Sequence, residues 1–222
     1  MSFDIYAINL ERRTDRKQNV IKQFEKFDFC NVKIFKAIEN RKGSIGCALS
    51  HLALIEFAKQ NDMPYIIVAE DDILLNDTIQ AKEFKKILTS LTENFDKYDI
   101  FNGSPSFWDK RNNINEIKKT KTFHHRFSFV SDAQKATFMI YTKKSYDKIL
   151  SEYNPNNTRL EIDQYFARYF MQLCYKKYLC YEIKSYSDIG RGISDLINYI
   201  KNQEEIYKSL QEKDIFNKLY DF

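Results

Sequence analysis

Glycine, proline, histidine and cysteine are all scarce in this chain. Of its 222 residues, 5 are glycine and 3 are proline. Collagen-like and linker-rich chains need far more of both and are excluded. Four cysteines (Cys30, Cys47, Cys174, Cys180) stand without CxxC spacing or any histidine pairing. Neither zinc nor a disulfide framework is expected, and reduced thiols in a cytoplasmic protein are. No apolar run approaches the roughly 20 residues that span a bilayer. The first ten residues lack a charged head followed by a long apolar stretch, so no signal peptide is expected.

Aromatic residues are plentiful: 18 Phe and 15 Tyr within a chain that is 43% apolar. That content drives collapse and excludes a disordered chain. The length suits one large domain with a small appendage. Lys and Arg number 35 against 31 Asp and Glu, a formal charge of +4. So small an excess gives no reason to expect a nucleic-acid partner. Lys, Asn, Ile, Phe and Tyr, all with A/T-rich codons, supply nearly half of the chain. Single basic clusters are discounted accordingly.

Residues 5–10 read as a buried first strand, ending in a polar turn at 11–15. Thr14 or Asp15 can cap a helix to about Phe27, with Val20, Ile21, Phe24 and Phe27 as its apolar stripe. A strand at 32–38 and a helix over about 45–59 follow. Residues 65–69 (Tyr-Ile-Ile-Val-Ala) form a continuous apolar run, as in a central strand covered on both faces. Further along, the pattern predicts a helix at 78–91, a strand at 99–103 and a mobile polar loop at 104–123. Short strands at 127–130 and 136–142, helices at 143–153 and 162–175, and a strand at 178–185 complete the reading. This alternation implies an α/β domain with a mainly parallel sheet.

The most informative feature is Glu70-Asp71-Asp72 at the end of that apolar run. Adjacent carboxylates raise one another's pKa, and the cost grows in low dielectric. A hard divalent cation removes it. Residues 70 and 72 point the same way on an extended backbone and can share one ion. Ligands of open α/β sheets also bind beyond the carboxyl ends of strands. Mg²⁺ and Mn²⁺ favour few carboxylates plus phosphate oxygens, so a substrate carrying a diphosphate is expected. A metal-dependent nuclease or phosphotransferase would use similar carboxylates, and a solvated acidic turn is the alternative without a function.

Three segments together resemble the family 25 glycosyltransferases, which build lipooligosaccharide and related glycans. They are Ile8-Asn9-Leu10-Glu11-Arg12-Arg13-Thr14-Asp15-Arg16, Gly46-Cys47-Ala48-Leu49-Ser50-His51, and Glu70-Asp71-Asp72, the last similar to that family's version of the DxD motif. Ser187-Asp188-Ile189 is a fourth, weaker match, and the likeness covers about residues 3–192. Residues 134–141 depart from the family pattern in lacking a glycine. The resemblance implies a GT-A (Rossmann-like) domain at 1–192 with a helical extension at 193–222. It also implies a UDP-hexose donor (galactose or glucose), Mn²⁺ or Mg²⁺, and inverting transfer to a glycan or glycoconjugate hydroxyl. A protein hydroxylysine acceptor is the alternative within the family.

On that resemblance, Asp72 is expected to ligate the metal. Glu70 would share the metal or, with Asp71, hold ribose hydroxyls. Asn9 and Leu10 would offer backbone groups to the uracil, and Arg12 and Arg13 would reach phosphate, unless they are solvated turn residues. Arg16 is expected on the helix surface. Ser50 and His51 would face the nucleotide, although a structural histidine has the same signature. Cys47 reads as a small buried side chain. Inverting transfer needs a base for the acceptor hydroxyl. Asp163 is the candidate, with Glu161 in reserve, and helix capping is the competing role for Asp163. Asp188 would reach the diphosphate or a second metal position. The five glycines (43, 46, 103, 190, 192) are expected in loops beside the donor site. The basic stretch 110–126 would meet an anionic acceptor or an anionic membrane surface peripherally, unless codon bias alone explains it.

Overall fold

A computed structural model describes residues 1–107, 121–124 and 126–183 of the chain. The expectations for Asp188, Gly190, Gly192, the 193–222 extension and most of the basic stretch lie outside the described residues.

The first half of the chain runs β1 (Phe3–Asn9), α1 (Thr14–Glu25), β2 (Cys30–Lys36), α2 (Gly43–Gln60), β3 (Tyr65–Glu70), β4 (Ile73–Leu75), α3 (Ala81–Glu93) and β5 (Ile100–Asn102). The second half runs β6 (Ser106–Phe107), β7 (Lys121–His124), β8 (Phe127–Val130), β9 (Ala133–Gln134), β10 (Phe138–Thr142), α4 (Lys143–Glu152), α5 (Ile162–Tyr169), β11 (Gln172–Tyr175) and β12 (Cys180–Glu182). Eight strands form one sheet in the order β2-β1-β3-β10-β5-β11-β8-β7. In that sheet β10 and β8 run against the other six. The fold is the mixed α/β architecture with a mainly parallel sheet that the alternation of elements implies. No helix among the described residues is long and apolar enough to cross a membrane.

Strand periodicity assigns the two faces of the sheet. On β3, Ile67 and Ala69 join one core with Val20 and Phe24 of α1 and Phe84, Ile87 and Leu88 of α3. Ile66 and Val68 point the other way, into a core with Leu54 and Ile55 of α2, Ile149 of α4 and Phe166 of α5. Helices therefore cover both faces, which is why β3 reads as an unbroken apolar run. Each fully buried Ile or Val contributes roughly 1.5–3 kcal/mol.

The same assignment places the site. From β1 the chain crosses through α1 on one face to β2 at the sheet edge. It returns through α2 on the other face to β3, on the far side of β1. Strand order thus reverses between β1 and β3, and their carboxyl ends, Asn9 and Glu70, diverge around an opening. Open α/β sheets bind ligands at such a reversal.

The elements differ from expectation in several places, among them the unanticipated strands β4 and β9 and the exposed Ile21 of α1. The segment at 162–175, expected as one helix, ends its helix at Tyr169 and continues as β11. All four β11 residues are buried between β5 and β8, so tertiary pairing overrides local pattern. The stretch at 104–123, expected as a mobile loop, carries strands β6 and β7 at its ends. Gly43 and Gly46, expected in a loop, lie in the first turn of α2.

Gly46 is there for close approach. A Cβ on it would sit 2.6 Å from the Ile38 carbonyl oxygen and 3.3 Å from the Asn40 amide nitrogen. The Ser50 hydroxyl seals the contact, donating to Gly46 O and accepting from Ile38 N, both at 2.8 Å. Gly46→Ala gains about 1 kcal/mol of helix propensity but must push backbone away, a cost of about 1–3 kcal/mol. A net loss of stability is expected, read as a lower denaturation midpoint at unchanged m-value.

Candidate functional site

A cleft of about 550 Å³ opens at this reversal. Ile8, Leu10 and Arg12 line it from the end of β1, residues 37–41 from the end of β2, Gly46 and Cys47 from α2, and Glu70, Asp71 and Asp72 from the end of β3. Three stretches distant in sequence meet because β1, β2 and β3 are parallel neighbours.

The three carboxylates meet three different environments. Asp71 is buried, accepting 2.6 Å from Asn9 Nδ2 and 3.2 Å from an Arg16 guanidinium nitrogen. Burial still holds its carboxyl above the usual range, against the pull of Asn9 and Arg16. For Glu70, burial alone would raise the pKa. Contacts from His51 and Cys47, with the Lys135 charge nearby, outweigh it and hold the carboxyl below its usual range. Asp72 is pushed well above its usual range by burial first, then by the charges of Glu70 and Glu182, with Arg16 opposing at 3.1 Å. Its Oδ1 is buried and has no hydrogen-bond partner among the described residues.

Arg16, expected on the surface of α1, is instead buried and its guanidinium bridges Asp71 and Asp72. One turn on, Asn19 donates to Asp71 O and Ile73 O and clamps the backbone after the triplet. Of the residues expected to touch a nucleotide, Leu10 and Arg12 line the cleft, and Arg12 also pairs with Glu39 at 2.9 Å. Asn9 spends its amide on Asp71 and Arg13 O. Arg13 pairs with Asp15 at 2.9 Å at the start of α1. Ser50 lies behind the cleft wall in the Gly46 contact.

His51 is fully buried. Its Nδ1 lies 2.9 Å from the Tyr141 hydroxyl on β10, and its Nε2 lies 3.4 Å from Glu70 Oε1. Cys47, one helical turn earlier, points its Sγ at the same oxygen at 3.2 Å. Against the expectation that no cysteine pairs with a histidine, Cys47 and His51 converge on one Glu70 oxygen from α2.

Asp163 sits in the first turn of α5 and is partly buried. Its oxygens accept from Lys135 N at 3.0 Å and Gln164 N at 2.7 Å, and burial raises its pKa despite both bonds. Glu161 is the exposed N-cap residue of α5, its own N–H donating to Gln164 Oε1.

Two further residues join the site without a signal of their own in the sequence. Glu182 is carried to Asp72 by the pairing of β12 with β4, with Ile183 N donating to Asp72 O at 2.7 Å. Lys135 pairs with Glu182 at 2.8 Å, and the Thr137 hydroxyl donates to the same carboxylate. Lys135 has φ 69°, a left-handed conformation that favours glycine. Within residues 134–141, which hold no glycine, this lysine is held by Asp163 at its amide and by Glu182 at its ammonium.

A buried carboxylate oxygen without a donor, beside two more carboxylates, fits a hard divalent cation. Without one, the raised Asp72 pKa works against the fold. The native state keeps a proton that the unfolded chain releases, so stability falls as pH rises above the usual carboxylate range. Asp72→Asn is therefore expected to raise the metal-free melting temperature at neutral pH and to flatten its decline with pH. Each unit of the lost shift corresponds to about 1.4 kcal/mol.

The chain is similar to several known proteins. A curated putative glycosyltransferase from Haemophilus influenzae is 32% identical over 103 residues, covering 37% of this chain and 36% of the relative. The chain thus matches about a third of that relative's length. A glycosyltransferase involved in glycosylation of the major capsid of PBCV-1 superposes with a TM-score of 0.43 at 11% identity, covering 76% of each chain. UDP-glucose pyrophosphorylase complexed with UDP-glucose gives 0.46 at 15% identity, covering 95% of this chain and 81% of that one. The family model for glycosyltransferase family 25 (LPS biosynthesis protein) matches residues 41–183, from the loop before α2 through the acidic triplet to β12. That match spans well over half of the chain, and the chain belongs to glycosyltransferase family 25.

Proposed function

We propose that this protein is a metal-dependent, inverting glycosyltransferase. It moves galactose or glucose from a UDP-sugar to a hydroxyl of a glycan or glycoconjugate such as lipooligosaccharide. The observation that carries this reading is the buried Asp72 Oδ1, without a hydrogen-bond partner among the described residues, in a cleft lying where strand order reverses. Asp72 and Glu70 are the residues that would hold Mn²⁺ or Mg²⁺. The bound ion supplies charge neutralisation for the diphosphate of the leaving group.

The chain's own residues do the rest. Ile8, Leu10, Ala37 and Ile38 give the cleft an apolar wall suited to the face of a base. Arg12 adds positive charge on the same lining, where a diphosphate would lie. Arg16 and Asn9 fix Asp71, so the strand end does not recoil from its own charge. Inversion is a single displacement. The acceptor oxygen bonds to the anomeric carbon as the bond to the UDP oxygen breaks, and the hydroxyl proton goes to a carboxylate. Asp163 is the proposed base, with Glu161 in reserve. Two backbone bonds leave Asp163 with free lone pairs, and its raised pKa makes it a stronger base.

Incubation with Mn²⁺ and a panel of UDP-sugars should give UDP release and thermal stabilisation with at least one donor. Absence of stabilisation by every nucleotide-sugar, with and without metal, refutes the reading. Asp72→Ala should lower UDP release by about a hundredfold or more. Asp163→Asn should lower kcat about 10²–10⁴-fold with little change in donor KM. Unchanged kcat in Asp163→Asn would remove it as base.

A further inference from the structure

At the cleft wall, Cys47 and Glu70 converge with the buried His51 behind them. Cys47 and His51 project from successive turns of α2, and Glu70 reaches them from the end of β3. One ligand atom from each lies within 4.8 Å of the others. Cys47 Sγ is 3.2 Å and His51 Nε2 is 3.4 Å from Glu70 Oε1. A tetrahedral ion with bonds of about 2.0–2.3 Å holds its ligand atoms about 3.3–3.7 Å apart. Both separations to Glu70 fall within about 0.1 Å of that range before any ion is added.

The other side of the imidazole is set for the same task. The Tyr141 hydroxyl lies 2.9 Å from Nδ1 inside the core. Without an ion, Nε2–H donates to Glu70 and the Tyr141 hydroxyl donates to Nδ1. Metal binding takes the other tautomer, with Nδ1–H donating to that hydroxyl and the Nε2 lone pair turned toward the ion. A metal-bound histidine has this arrangement, its far nitrogen fixed by an outer hydrogen bond.

The geometry points to a second metal site, for a thiophilic divalent cation of the zinc type, on Cys47 Sγ, His51 Nε2 and Glu70 Oε1. Thiolate and imidazole select such an ion over Mg²⁺ or Mn²⁺, which prefer the all-carboxylate setting of Asp72. On binding, the sulfur–metal bond replaces the S–H bond and the Cys47 proton leaves to solvent. Three protein ligands leave a fourth position, on the side where Cys47 and Glu70 line the cleft. The site shares Glu70 with the proposed Mn²⁺ or Mg²⁺ position, and its occupancy is measured without turnover, so the two readings are tested apart.

The test uses the metal-free full-length protein. Titration with Zn²⁺ should raise the melting temperature of the wild type. Loading with Co²⁺ should give a thiolate-to-cobalt charge-transfer band. Cys47→Ala should weaken Zn²⁺ binding at least tenfold and abolish the band, while Asp72→Asn keeps both. Equal Zn²⁺ affinity in wild type and Cys47→Ala overturns the site, as does a cobalt spectrum without the thiolate band. If Zn²⁺ fails to bind while Mn²⁺ and a UDP-sugar still stabilise the protein, this site is refuted and the transferase reading is untouched.

Discussion

Three carboxylates on consecutive residues at the end of a buried strand repel one another, and the structure around the cleft is organised by that repulsion. Each acid is met differently. Asp71 receives an amide and a guanidinium, Glu70 a histidine and a thiol, and Asp72 only part of the same guanidinium. Arg16 is the shared element. Removing a partner from a buried charge costs more than making the pair contributes, because the remaining charge is left uncompensated. Among the described residues Asp72 is the group left with an open demand, and a divalent cation is the chemistry proposed to answer it.

The topology sets this demand at the cleft and not within the core. Parallel pairing of β1 with β2 and β3 lines up their carboxyl ends, and reversal of the chain path opens them. A second layer then closes around the triplet from below. Pairing of β12 with β4 brings Glu182 to Asp72, and Glu182 holds the ammonium of Lys135. Lys135 adopts a backbone conformation that costs energy, held by contacts at both ends. Burial, strain and like charge accumulate within a few residues of one another, as they do where a protein trades stability for function.

Much of the fold was legible along the chain, for identifiable reasons. β3 announces itself because both of its faces are covered, so every residue from Ile66 to Ala69 is apolar. α1 shows its stripe at Val20 and Phe24 because one face alone is buried. β11 was hidden, since Gln172 to Tyr175 continue a helical pattern and become a strand only between β5 and β8. In the site, the acidic triplet was visible because three like charges ending an apolar run are locally expensive. Arg16 was misplaced on the surface because a charged residue on an amphipathic helix gives no sign of a buried partner 55 residues away. Glu182 and Lys135 carried no local signal at all.

The sequence by itself determined the order of elements, the central strand and the position of the charge cluster, because these depend on hydrophobic period and on neighbours along the chain. Only the tertiary structure decided which carboxylate is neutralised, which is left open, and which histidine faces which acid. Those outcomes depend on the approach of side chains from β1, α1, α2, β10 and β12. Electrostatic and hydrogen-bond energies inside a protein change over distances of about an ångström, a scale that spacing along a chain does not encode.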